Sequence, residues 1–138
     1  MAAVPVVSSV PGIFSADSSG KGQGAILNQD QSRNSSSRPA APGSVIVLFA
    51  TGEGQTQPIG SDGFVTGTTL PKPMLPVSVT VGGVKAQVIY AGEAPTLVSG
   101  VLQVNAIVPP TLSTGNQPVV LTVGSAQSLN GITVAVGR

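Results

Sequence analysis

Five side-chain carboxylates, Asp17, Asp30, Glu53, Asp62 and Glu93, are the acid–base groups of this chain. There is no histidine and no cysteine. The commonest catalytic base, the thiolate nucleophile and the imidazole and thiolate metal ligands are therefore absent. Two carboxylates flanking one bond are the minimum apparatus of a glycosidase, and folding could bring any two of the five together. Each, however, stands in turn-rich sequence, where Asp and Glu cap turns and carry solvated charge. The sequence assigns no catalytic residue and reads as a non-enzyme.

Other chemistry is weighed the same way. Residues 17–24, "DSSGKGQG", hold glycines and a lysine but lack phosphate-loop spacing, and no helix follows to receive a phosphate; they read as a flexible hairpin loop. Calcium at Asp17, Asp30 or Asp62 would need a dense alternation of oxygen ligands that no stretch supplies. No metal and no cofactor are assigned. An intramolecular Lys–Asn bond needs a buried lysine beside a carboxylate, and Lys85 falls on the polar face of a hairpin. Asn34-Ser35-Ser36 has the form of a glycosylation sequon, a three-residue pattern that carries little weight by itself. Of the four aromatics, Phe49 falls in a doubly apolar strand and Tyr90 continues the buried face of its hairpin. The short "GIFS" segment holds Phe14. Phe64 alone stands in a long loop, residues 52–73, and is the candidate contact residue of a carbohydrate-binding module, the alternative to a purely structural role.

The elements that would carry these residues are legible. In "PVSVTVGGVKAQVIYAG", residues 76–92, a turn at Gly82-Gly83 sets Val81 opposite Val84, Val79 opposite Ala86 and Val77 opposite Val88. Thr80 then faces Lys85 and Ser78 faces Gln87. Apolar pairs with apolar and polar with polar, so the register is fixed by one buried face. Further extended segments are expected at residues 4–10, 12–15, 24–28, 44–51, 101–108, 118–123 and 131–136. Residues 44–51, "SVIVLFAT", are apolar on both alternating sets and should be covered on both sides. No window shows a helical period over three turns. The expected fold is an all-β, immunoglobulin-like antiparallel sandwich of about eight short strands with almost no helix. Residues 1–11 form an N-terminal arm and 12–138 a single domain. Val47, Val79, Val81, Val84, Val88, Leu102, Val104 and Leu121 are the expected core.

Composition bounds the setting. A chain of 138 residues is long enough to bury roughly 70% of its unfolded surface. Charged residues make up 8% of it, against about 25% in an average domain, so its surface must be built of Ser, Thr, Asn, Gln and Gly. Such surfaces suit exported or assembling proteins. The net charge of +1 comes from scattered basic residues, and with so few aromatics a nucleic-acid partner is not expected. No apolar run has membrane-spanning length, and "MAAVPVVSSVPG" lacks the features of a signal peptide.

From residue 77 onward, "VSVTVGGVKAQVIYAG", "LQVNAIVP", "GNQPVVLTVGS" and "ITVAV" resemble the IPT/TIG branch of immunoglobulin-like domains. With "PGIFS" at 11–15, "GQGAILNQD" at 22–30 and "PGSVIVLFATGEG" at 42–54, the whole chain is similar to the Solibacter-type C-terminal domain of acidobacterial secreted and surface proteins. That resemblance implies an extracellular or cell-surface location and a non-catalytic module, and it brings no site residues with it. Members of that family follow other domains, and residues 1–10 sit where the chain would leave one. Val4, Val6, Val7 and Val10 are therefore the candidate assembly arm. Adding this arm to an open sheet edge would link copies into a homo-oligomer or filament; docking within a parent multidomain surface protein is the other protein partnership. A polysaccharide is the partner in the alternative reading.

Overall fold

A computed structural model describes residues 2–138. Eleven strands form in the order β1 (Gly12–Ile13), β2 (Gly22–Gln23), β3 (Val45–Thr51), β4 (Thr56–Gln57), β5 (Lys72–Pro73), β6 (Val77–Val81), β7 (Val84–Glu93), β8 (Leu102–Ile107), β9 (Gly115–Val123), β10 (Ala126–Gln127) and β11 (Ile132–Val136). No helix occurs among the described residues. The expected fold class holds: this is an all-β sandwich, made by one long sheet that curls over its own core, antiparallel as expected except where β2 runs parallel to β11.

The path through that sheet is β1-β3-β8-β7-β6-β9-β11-β2, with β10 on β9, and β4-β5 make a separate small pair. The hairpin forms in the expected register, Val79 opposite Ala86, Thr80 opposite Lys85 and Val81 opposite Val84. Its turn glycines take φ of 59° and 77°, angles that a residue with a Cβ adopts only under strain. Beyond Ala86 the expectation changes. Val88 pairs with Ala106 of β8 and not with Val77, which pairs with Val123 of β9. Strand β7 thus passes from one layer to the other and joins them.

Ile46, Leu48, Val79, Val81, Leu102, Val104, Val119, Leu121 and Val134 are fully buried between the layers. Strand β3 is covered on both faces as expected, tightly at Ile46, Leu48 and Ala50 and more loosely at Val45 and Phe49. Two core expectations fail. Val84 is 40% exposed, because it flanks the turn where the layer ends. Val88 is only half-buried, since the chain is already crossing between layers there.

Two strand expectations also fail, and they fail together. Residues 24–28 form no strand but bridge isolated positions. Leu27 exchanges both backbone hydrogen bonds with Val47, at 3.0 and 2.9 Å. A few residues away, Gly24 N donates to Thr133 O. At Ala135 the Asn34 side chain stands in for a strand: its Nδ2 donates to Ala135 O and its Oδ1 accepts from Ala135 N, at 2.9 and 2.8 Å. The irregular stretch 22–40 therefore closes the outer edges of β3 and β11, edges that would otherwise present unpaired backbone. Asn34 is 4% exposed and fully bonded, so it offers no acceptor for a glycan. Residues 4–10 form no strand either; Val4, Val6, Val7 and Val10 are exposed, and the chain first engages the sandwich at Ser9 and Val10.

Val104→Ala should lower the unfolding free energy by about 1–3 kcal/mol, from lost burial plus the space left behind. Val84→Ala should change it by less than about 0.5 kcal/mol. Urea denaturation of both variants checks the pair; the reverse order would contradict the packing.

Candidate functional site

At one end of the sandwich a departure from strand regularity turns a carboxylate inward. Along β7 the pairing with β8 runs Val88 to Ala106, then Tyr90 to Asn105, leaving Ile89 as an extra residue in a β-bulge. A bulge of one residue inverts the side-chain parity of everything that follows it. Tyr90 is carried to the face of Asn105 and is half-buried, not on the buried face its position predicted. Ala91 and Glu93 instead join Val104 and Leu102 on the inward face. Glu93 is consequently 2% exposed.

A buried carboxylate needs hydrogen bonds. Glu93 receives two: Thr66 Oγ1 donates to Oε2 and Ser99 Oγ to Oε1, each at 2.7 Å. The donors come from the loops on either side. Thr66 is held by the backbone bonds Thr66 N to Leu97 O and Thr96 N to Thr66 O, and Tyr90 Oη closes the corner by donating to Glu93 O at 2.9 Å.

The second carboxylate is Glu53, in the turn just after β3. It is 3% exposed, and neither of its oxygens has a hydrogen-bond partner. Its neighbours explain the burial. Gly52 and Gly54 take φ of 81° and 79°, and a Cβ on either would run into the arm, at Val10 O and Ser8 O respectively. Residues 8–10 lie across this turn, fixed by Val10 N to Gly52 O and by Ser9 Oγ to Val123 O, at 2.9 and 2.8 Å. The turn can be covered so closely only because glycines flank the acid.

Burial raises the Glu53 carboxyl to about 7, and the Glu93 charge adds to the effect. The Tyr90 phenol is also pushed up, first by burial and then by the charges of Glu53 and Glu93. The two glutamates line a cavity of about 330 Å³ with Gly52, Gly54, Gln55, Thr56, Ile59, Gly60, Asp62, Ser99 and Gly100. Asp62 is exposed at its rim. Among the described residues, no three acidic, histidine or cysteine side chains converge as a metal cluster.

The remaining candidates fall elsewhere. Asp17 and Asp30 accept the backbone N–H of Ser19 and Ser32, as turn caps should; the hydroxyls of those two serines first, and their N–H groups second, hold both carboxyls below the ordinary carboxylate range. Phe64 is 60% exposed and borders a second hollow that shares Ile59, Gly60, Glu93 and Ser99 with the first. Val4, Val6 and Val7 touch neither. Reading Glu53 and Glu93 as solvated turn charges was wrong. For Glu53 a signal was present, an acid between two glycines directly after a doubly apolar strand. For Glu93 there was none, because its inward turn depends on the bulge.

No family model matches this chain, and neither does any curated protein or solved structure.

The pH dependence of stability checks the Glu53 environment. The unfolded chain releases this proton near 4.5, whereas the fold keeps it to about 7. Between those values the folded state binds more protons, so its stability should fall as pH rises through the window and level off above it. The expected loss is about 1–3 kcal/mol. Asp17 and Asp30, shifted downward, act below the window. In chelator-containing buffer, Glu53→Gln should flatten the profile between 4.5 and 7; an unchanged profile would contradict this environment.

Proposed function

We propose that the protein is a non-catalytic structural or adhesive module acting outside the cell, joined to a neighbouring copy or a neighbouring domain through its N-terminal arm. The observation that carries this reading is the unequal treatment of its valines. Core valines such as Val79, Val81 and Val104 are wholly buried, whereas Val4, Val6 and Val7 are 80%, 96% and 61% exposed on a segment tethered at Ser9. Clustered exposed apolar side chains mark an interaction surface, and a chain with only 8% charged residues offers little repulsion to oppose contact. The outer edges of β3 and β11 are occupied by β1, Leu27, β2 and Asn34. Side-chain docking of the arm therefore fits better than strand addition at those edges. The resemblance to acidobacterial surface-protein domains supports the exported setting.

A glycosidase holds its bond in an open cleft between both carboxyls. Glu53 and Glu93, at 3% and 2% exposure, favour a binding or structural role over a catalytic one. A second reading has its own observation. Phe64 is an exposed aromatic beside a hollow lined by Pro58, Ile59, Thr69, Pro71 and Ser99, and an exposed aromatic next to a hollow is what a polysaccharide-binding module uses.

Light scattering behind size-exclusion chromatography tests the first reading. The full chain should associate as concentration rises, and removal of residues 1–7 should give a monomer with nearly the same melting temperature. Ser8, Ser9 and Val10 must be kept, because they pack on the Gly52–Gly54 turn and belong to the fold. A full chain that stays monomeric at high concentration defeats pairing between copies and leaves the neighbouring domain as the arm's partner. Retention on insoluble cellulose or chitin that is lost in Phe64→Ala would favour the second reading.

A further inference from the structure

We propose that Glu53 and Glu93 form a calcium site at the loop end of the sandwich, a binding function separate from the N-terminal arm. The leading observation is Glu53 itself. Its carboxyl oxygens are buried beneath the cavity that the residue helps to line, and neither has a hydrogen-bond donor. An unpaired buried carboxylate is among the most expensive groups a fold can hold. A second carboxylate beside it adds repulsion. A dication compensates both charges at once.

The donor set selects the ion. The candidate side-chain ligands are oxygens: the Glu53 and Glu93 carboxylates and the Thr56 hydroxyl, which donates to Pro58 O and accepts from Gly60 N and keeps one lone pair. Oxygen-only sites suit hard cations, and ligands drawn from irregular loops suit calcium, which accepts variable geometry and six to eight donors, better than magnesium, which demands an octahedron. Thr66 and Ser99 hold Glu93 in place, one hydroxyl on each oxygen, leaving each oxygen a further lone pair for a metal. This is the orienting support that metal-ligating carboxylates usually have. Gly60 keeps the entrance open, since a Cβ there would lie 3.1 Å from Glu93 Oε1 and 2.5 Å from Ser99 Oγ. Asp62 on the rim supplies a third negative charge within the same cavity, and water completes the coordination.

The test uses the full chain stripped with chelator at neutral pH and titrated calorimetrically with calcium chloride. A one-to-one isotherm is expected, with a Kd on the order of 10⁻⁴–10⁻³ M, as in extracellular modules. Magnesium should bind more weakly. Glu53→Gln should weaken calcium binding by about tenfold or more, since affinity follows the charge count of the ligands. Asp17→Asn and Asp30→Asn should leave it unchanged. Should Glu53→Gln fail to fold, carbon-13 spectra of the unmodified protein decide the matter: calcium should move the Glu53 and Glu93 carboxyl resonances and leave those of Asp17 and Asp30 in place. No binding by the unmodified chain, or binding that ignores Glu53 or follows Asp17 or Asp30, overturns the proposal.

Discussion

One extra residue in β7 decides the character of this molecule's loop end. Had pairing continued without interruption past Val88, Tyr90 and Gly92 would share the face of Ala106 and Val104, and Glu93 would point to solvent. The bulge at Ile89 inverts that order and seats Glu93 opposite Leu102. A carboxylate is thereby committed to a dry face, and its surroundings follow from that commitment. Thr66 and Ser99 bring hydroxyls to it, Gly60 gives them room, and Tyr90 ties its backbone. Glu53, brought to the same cavity by the turn after β3, meets a neighbouring charge with no donor of its own. Bulges beside binding sites commonly re-aim a side chain in this way.

The contrast between the two glutamates separates a structural acid from a reactive one. Glu93 is compensated within the fold by a pair of short hydroxyl bonds, which are strong when the acceptor is ionised. Glu53 is not compensated, and its environment therefore responds to whatever brings a proton or a positive charge. The arm matters here as well as in association. Its residues 8–10 cover the Gly52–Gly54 turn, so the segment that reaches outward at Val4–Val7 also shields the acid at its root. Coupling between arm contacts and this carboxyl would need no long pathway.

Much of the sandwich was legible because its information is local. The hairpin's register is written in alternation about Gly82-Gly83, and "VLQVNAIV" alternates cleanly, with Leu102, Val104 and Ala106 inward. Edge closure was not legible. Leu27 and Asn34 act on Val47 and Ala135, partners far away in sequence, through single bridges that leave no periodic trace. Nor does "AQVIYAG" announce a bulge, since its apolar residues suit either parity. Half of the candidate site was therefore readable, as an acid between two glycines, and the other half depended on a one-residue shift that only the folded pairing reveals.

Carbon-13 detected titration of the side-chain carboxyls, in calcium-free buffer, addresses the paired, buried state of these glutamates most directly. Each of the five carboxylates reports separately, so the comparison is internal. The Glu53 resonance should change with a midpoint near 7, while Asp17 and Asp30 titrate below 3.8. A Glu53 midpoint at its ordinary value of 4.5 would show that its carboxyl is hydrated and that this buried, unpaired acid does not exist.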